Sequence, residues 1–274
     1  MTYRRPFKFT DEVVALYDAL LVPRVYLPSA ELLLSLTSVP SGGAVLDVAT
    51  GPGTLARVAA GLVGTSGRIV ATDFSPAMLR LARTKSLPAG AASIDFIESP
   101  ASPLAVPDAS FDLVACHHGL QFFASRLAAL SEMHRALKPR GRIALAVWAD
   151  IETCPIYLAL YAALEATVPA RIAEAMRVPF GHPGPEALRH ELEFVGFRPT
   201  LVTTRPIPVV FESGFRQVWG CLEASPLWPQ IADLPNREQT MLADAAYQLV
   251  TVLQDPVDGT IRSQMACHLA VGEA

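Results

Sequence analysis

Charged residues are scarce in this chain, and they form no run of one sign. They make up 18% of the 274 residues, while apolar residues make up 51%, a balance that allows a large core and disfavours disorder. The 22 basic and 26 acidic residues give a net charge of −4. Because a nucleic-acid surface needs clustered Lys and Arg, we expect no nucleic-acid partner.

Cysteines and long apolar runs are also scarce. The four cysteines are Cys116, Cys154, Cys221 and Cys267. They show no C-x-x-C spacing, so the sequence predicts neither a metal site nor a disulfide framework. No window approaches eighteen uninterrupted apolar residues, and the acidic pair Asp11 and Glu12 follows the early arginines. We therefore expect no membrane span, no export signal and a cytoplasmic location.

Strand-like and helical segments alternate from residue 44 onward. Short apolar runs predict five strands, at 44–49, 68–72, 94–97, 111–116 and 143–148. Their spacing of roughly 25–30 residues indicates parallel βαβ units, and their nearly continuous apolar character indicates a sheet covered on both faces. We predict an α/β fold with a doubly wound, seven-stranded, mostly parallel sheet whose last strand is antiparallel.

Prolines shape the segments on either side of this pattern. Pro23 predicts a break between two short helices within 10–38. Pro206 and Pro208 confine the extended segment 201–211 to an edge or a bend. The intervening residues 214–253 read as helices, and 262–271 read as the final strand.

A glycine turn follows the first predicted strand, where residues 45–56 read VLDVATGPGTLA. Glycines allow a tight turn and let a ligand approach the backbone. Asp73 lies twenty residues after Gly53, at the end of the second predicted strand, where its carboxylate can accept hydrogen bonds from a ribose diol. Gly51, Gly53 and Ala56 also satisfy the dinucleotide fingerprint, so an NAD-dependent dehydrogenase is one interpretation.

Asp47 distinguishes between the two kinds of cofactor. It lies inside the first predicted strand, four residues before Gly51, and an unpaired charge buried there costs several kcal/mol. A dinucleotide pyrophosphate is anionic and would be repelled by this carboxylate. S-adenosylmethionine carries an ammonium and a sulfonium and has no phosphate. Asp47 therefore favours S-adenosylmethionine, and the alternative is that it only caps the neighbouring turn.

The same segment resembles motif I of the class I S-adenosylmethionine-dependent methyltransferases, usually written V-L-D-x-G-x-G-x-G. Segments 71–79, 107–114, 119–123 and 137–141 resemble further motifs of the branch that includes the ubiquinone and menaquinone C-methyltransferases. Five motifs in order are more specific than any one of them. The resemblance implies S-adenosylmethionine as cofactor and methylation of oxygen or carbon of a small, apolar or aromatic metabolite.

The resemblance also implies roles for single residues. Asp47 would hold the methionine ammonium, and Asp73 would bind the ribose hydroxyls. The other residues implied on the cofactor side are Ala49, Gly51, Gly53, Phe74, Met78, Ala101 and Cys116. Three positions depart from the family: Ala49 and Arg140 replace glycines, and Pro100 stands where many relatives carry the aspartate that binds the adenine amine.

Methyl transfer from a sulfonium is an in-line displacement, so the enzyme must hold the acceptor against the methyl group and exclude water. A general base is needed only where the acceptor must lose a proton. His117 and His118 end the fourth predicted strand, where ligands meet such sheets, and are the candidate catalytic residues. Alternatively, one faces the core and the other binds backbone. The candidate acceptor contacts are Tyr17, Gln121, Trp148 and Trp219.

These expectations divide the chain into three parts. Residues 1–39 form a helical cap, 40–150 form the cofactor-binding core, and 151–274 supply the remaining strands and a helical lid for the acceptor. A small-molecule acceptor is the expected partner, and the protein is expected to be a monomer or a homodimer. The alternative function is a protein of the same fold that binds the cofactor without methyl transfer, followed by the dehydrogenase.

Overall fold

Seven strands form one sheet in the computed structural model, which describes residues 10–274. The strands are β1 (Ala44–Val48), β2 (Arg68–Asp73), β3 (Ser93–Glu98), β4 (Phe111–His117), β5 (Leu137–Trp148), β6 (Arg198–Phe211) and β7 (Ile261–Glu273). Their order across the sheet is β3-β2-β1-β4-β5-β7-β6. Strands β1 to β5 pair in parallel, and β7 runs antiparallel to both of its neighbours. The predicted fold class and the antiparallel last strand are confirmed.

The strand order reverses between β1 and β4, which lie side by side at the centre of the sheet. At such a switch point the loops that follow the two strands diverge and leave a crevice at their carboxyl ends, where ligands bind in open α/β sheets. The glycine turn after β1 and the histidine pair at the end of β4 both lie at this crevice. The topology therefore brings together two motifs that are about 70 residues apart in sequence.

Helices cover both faces of the sheet. They are α1 (Asp11–Leu16), α2 (Leu27–Ser35), α3 (Thr54–Val63), α4 (Pro76–Thr84), α5 (Arg126–Ala136), α6 (Pro155–Thr167), α7 (Ala170–Ala175), α8 (Pro185–Val195), α9 (Phe215–Glu223), α10 (Trp228–Ala232) and α11 (Asn236–Thr251). Successive residues of a strand point to opposite faces, so Val45 packs with α3 and α6 in one core and Leu46 packs with α5 and α8 in the other. This two-sided burial explains why the central strands are almost wholly apolar.

The N-terminal segment differs from its prediction. Instead of two helices broken at Pro23, the structure has one continuous helix, Asp11–Ser35, whose middle part, Tyr17–Tyr26, is π-helical. Proline in an α-helix clashes with the carbonyl four residues earlier and removes one hydrogen bond. The wider π turn bonds five residues back, as the N–H of Leu27 does with the carbonyl of Val22, so the helix passes the proline without ending.

This helix is also long and apolar enough to cross a membrane by length and composition, with 39% of its apolar window buried within the protein. Core helices of water-soluble proteins meet the same criteria, so the finding is weak evidence. The expectation that the chain has no membrane span stays a prediction. The first nine residues of the predicted cap lie outside the described residues.

Strand β5 begins earlier than predicted. It starts at Leu137 rather than at residue 143, and residues 138–141 lie inside it as an irregularity opposite β4. Between the pairs Phe111–Leu137 and Leu113–Arg142, β5 has four residues where β4 has one. Such a bulge lets a turn sequence remain within a strand pair. At the far edge, β6 carries the prolines that predicted an edge position, and that prediction is confirmed.

Candidate active site

Asp47 lies at the carboxyl end of β1 with no solvent exposure. Its Oδ2 atom accepts hydrogen bonds from Thr50 Oγ1 at 2.6 Å and from the backbone N–H of Ala56 at 3.1 Å. Its Oδ1 atom is buried without a hydrogen-bond partner among residues 10–274. Burial raises the pKa of the carboxyl to about 7. A buried carboxylate oxygen without a partner is costly, so this atom suits a cationic ligand.

Asp73 ends β2 and connects that strand to the glycine turn. Its Oδ2 atom accepts a hydrogen bond from the N–H of Gly51, and its Oδ1 atom accepts one from the N–H of Ser75, both at 2.8 Å. Burial raises the pKa of Asp73, and these two bonds oppose the rise. Each carboxylate oxygen has a second lone-pair site, so both can also accept bonds from a diol.

The glycine turn has a left-handed backbone at three alternate positions, with φ of 59° at Ala49, 55° at Gly51 and 78° at Gly53. A Cβ added to Gly51 would meet nothing within 4 Å, whereas one added to Gly53 would meet the Arg57 side chain at 3.2 Å. Gly51 thus faces open space, as a ligand-contacting glycine does. Ala49 keeps the conformation expected of the glycine it replaces, at a cost of roughly 1–2 kcal/mol for a residue with a Cβ.

The two histidines at the end of β4 share one partner. Nε2 of His118 lies 2.8 Å from Ser29 Oγ, and Nε2 of His117 lies 3.1 Å from the same atom. The His118 ring stacks on Trp148 with centroids 3.6 Å apart, and Tyr26 meets both imidazoles edge-on. Burial lowers the pKa of His117 to about 3 and also lowers that of His118, so both rings are neutral near pH 7.

The structural alternative for the pair, in which one ring faces the core and the other binds backbone, does not match this geometry fully. His118 is buried, but its ring binds a side-chain hydroxyl rather than backbone. Its Nδ1 atom is buried without a partner in the described part of the chain. Gln121, in the 3-10 turn Leu120–Phe122, likewise has both amide atoms buried and unpaired within residues 10–274. Buried polar atoms are normally satisfied, so these groups are candidates for contacts with a bound molecule.

A family model described as a methyltransferase domain matches residues 46–145. This match covers β1 to most of β5, including the glycine turn, Asp73 and the histidine pair. Residues 46–145 therefore form a methyltransferase domain. For this part of the chain, the match confirms the predicted resemblance to the class I S-adenosylmethionine-dependent methyltransferases.

Two curated relatives are named ubiquinone/menaquinone biosynthesis C-methyltransferase UbiE. The protein from Hahella chejuensis is 35% identical over 50% of this chain and 56% of its own length. The protein from Pseudomonas putida is 40% identical over 40% of this chain and 43% of its own length. The chain thus spans about half the length of the curated relatives it matches.

A solved structure extends the likeness beyond the methyltransferase domain. Phosphoethanolamine N-methyltransferase 2 from Haemonchus contortus, in complex with S-adenosyl-L-methionine, aligns with a TM-score of 0.56 and 16% identity. The alignment covers 96% of this chain and 57% of that one. At this identity the similarity concerns the fold alone.

The N-terminal helix packs across the methyltransferase domain next to Asp73. Val14 and Tyr17 pack against Met78 of α4 in a small apolar cluster. Asp18 forms an ion pair with Lys85, just beyond the end of α4. Met78, a predicted cofactor contact, is therefore buried against the helix.

The other predicted residues of the methyltransferase domain lie around the crevice. Phe74 is 40% exposed directly after Asp73, Ala101 is half-buried in the loop after β3, and Cys116 is buried at the end of β4. Pro100 stands where many relatives carry an adenine-binding aspartate. The neighbouring Ser99 cannot readily replace that carboxylate. Its hydroxyl already donates to the Pro100 carbonyl and accepts from the N–H of Ala105.

The predicted acceptor contacts fall into two groups. Trp148 belongs to the histidine cluster, and Tyr17 joins it by stacking on Tyr26 with centroids 4.8 Å apart. Trp219 lies in α9, where its ring meets Phe215 and Trp228. The structure thus brings Tyr17 and Trp148 to the histidines, and it places Trp219 in a cluster formed by the segment between β6 and β7.

Two residues that contact the histidines, Ser29 and Tyr26, were not predicted from the sequence. A signal was nevertheless present, because Ser29 shares a helix face with Ala30, Leu33 and Leu34, all of them buried. A polar residue on the apolar face of a helix needs a buried partner.

Proposed function

We propose that this protein transfers the methyl group of S-adenosylmethionine to a carbon or oxygen atom of a small, apolar or aromatic metabolite. The observation that carries the proposal is the unpaired, buried Oδ1 atom of Asp47 at the mouth of the glycine turn. A carboxylate in that place attracts an ammonium and repels a pyrophosphate. The names of the matched relatives support carbon as the methylated atom.

The residues of the crevice fit the proposed cofactor. Asp47 would bind the methionine ammonium, and the backbone of Ala49, Gly51 and Gly53 would lie along the methionine part. Asp73 would accept hydrogen bonds from the ribose hydroxyls. Phe74, Met78, Ala101 and Cys116 would complete this side of the site. The bound cofactor supplies an electrophilic methyl group on a sulfonium, and it needs no metal for the displacement.

The acceptor side is lined by rings. Trp148, Tyr17 and the missed Tyr26 surround the histidine pair, and such a surface suits a planar, apolar acceptor. His117 and His118 are neutral near pH 7, so each imidazole has one unprotonated ring nitrogen. Gln121 would orient a polar group of the acceptor through its unpaired amide. Trp219 lies in α9. It would contact the acceptor as part of the lid that α9 to α11 form over the site.

Three further parts of the proposal concern organisation. Residues 1–39 act as a cap, 40–150 as the cofactor-binding core, and 151–274 as the remaining strands and the lid. The partner is a small-molecule acceptor, and the protein acts as a monomer or homodimer in the cytoplasm. The packing of the N-terminal helix on Met78 supports the cap, because it places this helix beside the predicted cofactor site.

Calorimetric and thermal-shift titrations with S-adenosylmethionine, S-adenosylhomocysteine, NAD and NADP test the cofactor. At one hundred times its dissociation constant, a ligand should stabilise the fold by about 2.7 kcal/mol. We expect this for the two adenosyl compounds, and we expect Asp47→Ala and Asp73→Ala to weaken their binding. Asp95→Ala, at an exposed position of β3, is the matched control. Binding of NAD alone, or of none of the four, would contradict the proposal.

Methyl transfer itself is tested with S-adenosylmethionine carrying a labelled methyl group and a panel of small phenols, quinols and aliphatic acids. Label should appear in an aromatic member of the panel and not in the acids. Label in the acids alone would contradict the proposed acceptor class.

A further inference from the structure

Ser29 is the only hydroxyl placed between the two imidazoles among the hydrogen bonds of residues 10–274. It lies on α2 and is 0% exposed. The two ring centroids are 4.4 Å apart, and both Nε2 atoms point at its Oγ. The N-terminal helix therefore supplies an atom that connects both candidate bases.

The protons in this cluster can be counted. A neutral imidazole carries one N–H and one lone pair, and a serine hydroxyl carries one proton and two lone pairs. Burial keeps both rings neutral. Each Nε2 either donates to Oγ or accepts from it, so the placement of the serine proton determines the tautomer of each ring.

The unpaired Nδ1 atom of His118 decides between the arrangements. If Nδ1 carried the proton, a buried N–H donor would be left without an acceptor within the described chain. Buried orphan donors are rarer than buried under-used acceptors. The ring of His118 therefore carries its proton on Nε2 and donates it to Ser29 Oγ.

The serine proton then has one acceptor among the hydrogen bonds of the described residues, the Nε2 atom of His117. Ser29 thus donates to His117, whose proton lies on Nδ1. The result is a directed chain of hydrogen bonds from His118 Nε2 through Ser29 Oγ to His117 Nε2.

The backbone gives a second, independent observation. His118 has a φ of 56°, in the left-handed region, and a non-glycine residue there carries strain that clusters at functional sites. In this conformation the His118 ring stacks on Trp148, and its Nε2 atom lies within hydrogen-bond distance of Ser29 Oγ.

We infer that Ser29 is a positioning residue of the methyl-transfer site, which holds His118 as the Nε2–H tautomer and leaves its Nδ1 lone pair free to accept the acceptor's proton. The inference rests on the proposed function. As the acceptor atom forms its bond to the methyl group and the carbon–sulfur bond breaks, the proton leaves the acceptor for Nδ1 of His118. The positive charge passes from the sulfonium to the imidazolium, so the step balances.

Nitrogen NMR of the imidazole rings tests the tautomers in the full chain without cofactor. We expect His118 to be protonated on Nε2 and His117 on Nδ1, with assignments from His117→Gln and His118→Gln. Ser29→Ala should abolish the fixed tautomer of His118. Ser35→Ala, whose hydroxyl binds only the Leu32 carbonyl at the exposed end of the same helix, should leave it unchanged. Finding His118 protonated on Nδ1 in the natural protein would overturn the inference, even if Ser29→Ala does not fold.

Steady-state kinetics test whether Ser29 contributes to methyl transfer. The acceptor is the phenol or quinol of the panel described above that is methylated fastest. Ser29→Ala should lower kcat by about 10²-fold and change the KM for S-adenosylmethionine by less than about twofold, while Ser29→Thr should restore most of kcat. An unchanged kcat in Ser29→Ala would overturn the inference. If the protein binds S-adenosylmethionine but shows the wrong tautomers, only the inference fails. If it does not bind S-adenosylmethionine, the proposed function fails first.

Discussion

At the scale of single residues, the buried Asp47 and the half-buried His117 have pKa values shifted in opposite directions. Burial raises the pKa of Asp47 to about 7 and lowers that of His117 to about 3. Asp47 therefore binds a proton more readily folded than unfolded, so its contribution to stability is present in acid and is lost as pH rises through about 7. His117 contributes stability above its unfolded pKa of about 6.5, and that stability is lost as pH falls. Between about pH 4 and pH 6.5 the two effects oppose each other.

Asp47→Asn separates the two contributions. Because asparagine does not ionise, the variant should gain stability relative to the natural protein as pH rises from about 4.5 to 7.5. Urea unfolding at each pH measures the difference in midpoint. Asp95→Asn, on the exposed side of β3, is the control. A gain of the same size in both variants would contradict the assignment to the buried carboxyl.

Arg140 is strained at an exposed position, with a φ of 64° in the bulge of β5. Arg140→Gly should stabilise the protein by up to about 1 kcal/mol, because the relief of left-handed strain exceeds the entropy cost of glycine. Denaturant unfolding measures the change. Arg140→Ala removes the same charge but keeps a Cβ, so it should give no gain, and equal stability of the two variants would refute the role of φ.

At the scale of elements, the turn after β1 touches the segment after β4. A Cβ added to Gly119 would lie 2.7 Å from the Cβ of Ala49 and 3.0 Å from the Cys116 sulfur. These distances are below normal contact, so the two loops are already as close as their side chains allow. The alanine that replaces the family's glycine fills the space that a larger residue at 119 would need.

Gly119→Ala should therefore destabilise the protein by about 1–3 kcal/mol. The double variant Ala49→Gly with Gly119→Ala should recover at least about 0.5 kcal/mol of that loss, because one of the two colliding methyl groups is gone. A double-mutant cycle by urea unfolding measures this coupling. Strict additivity would show that the two loops do not touch.

The sequence predicted the elements unequally, for physical reasons. The strands of the parallel core were recognisable because burial on both faces makes them apolar throughout. Pro23 was misleading, since the pattern could not reveal that a π-helical turn would accommodate it. Asp47, Asp73 and the histidines were found from motifs, but Ser29 was not, because its role depends on a contact with residues nearly 90 positions away.

At the scale of the whole molecule, the last strand joins the parallel part of the sheet to the edge strand β6. Strand β7 pairs with β5 from Arg142 to Trp148, and it pairs with β6 along nearly its full length. The proposed boundary at residue 150 therefore separates two hydrogen-bonded neighbours. A sheet that ended at β5 would expose an unpaired apolar edge.

Residues 40–150 expressed alone should consequently aggregate or lack a cooperative unfolding transition, whereas the full chain should unfold cooperatively. Circular dichroism during heating and size-exclusion chromatography compare the two. A soluble fragment with a sharp transition would show that the core does not need β7.

All four cysteines are free and buried. They lie in four parts of the fold, namely β4, the start of α6, α9 and β7. Burial raises the pKa of every one of these thiols, which lowers the fraction present as reactive thiolate. An alkylating reagent can reach each sulfur only when its own surroundings open. The folded chain therefore does not react with such reagents. The order in which its four sulfurs become labelled reports the order in which the parts of the fold open.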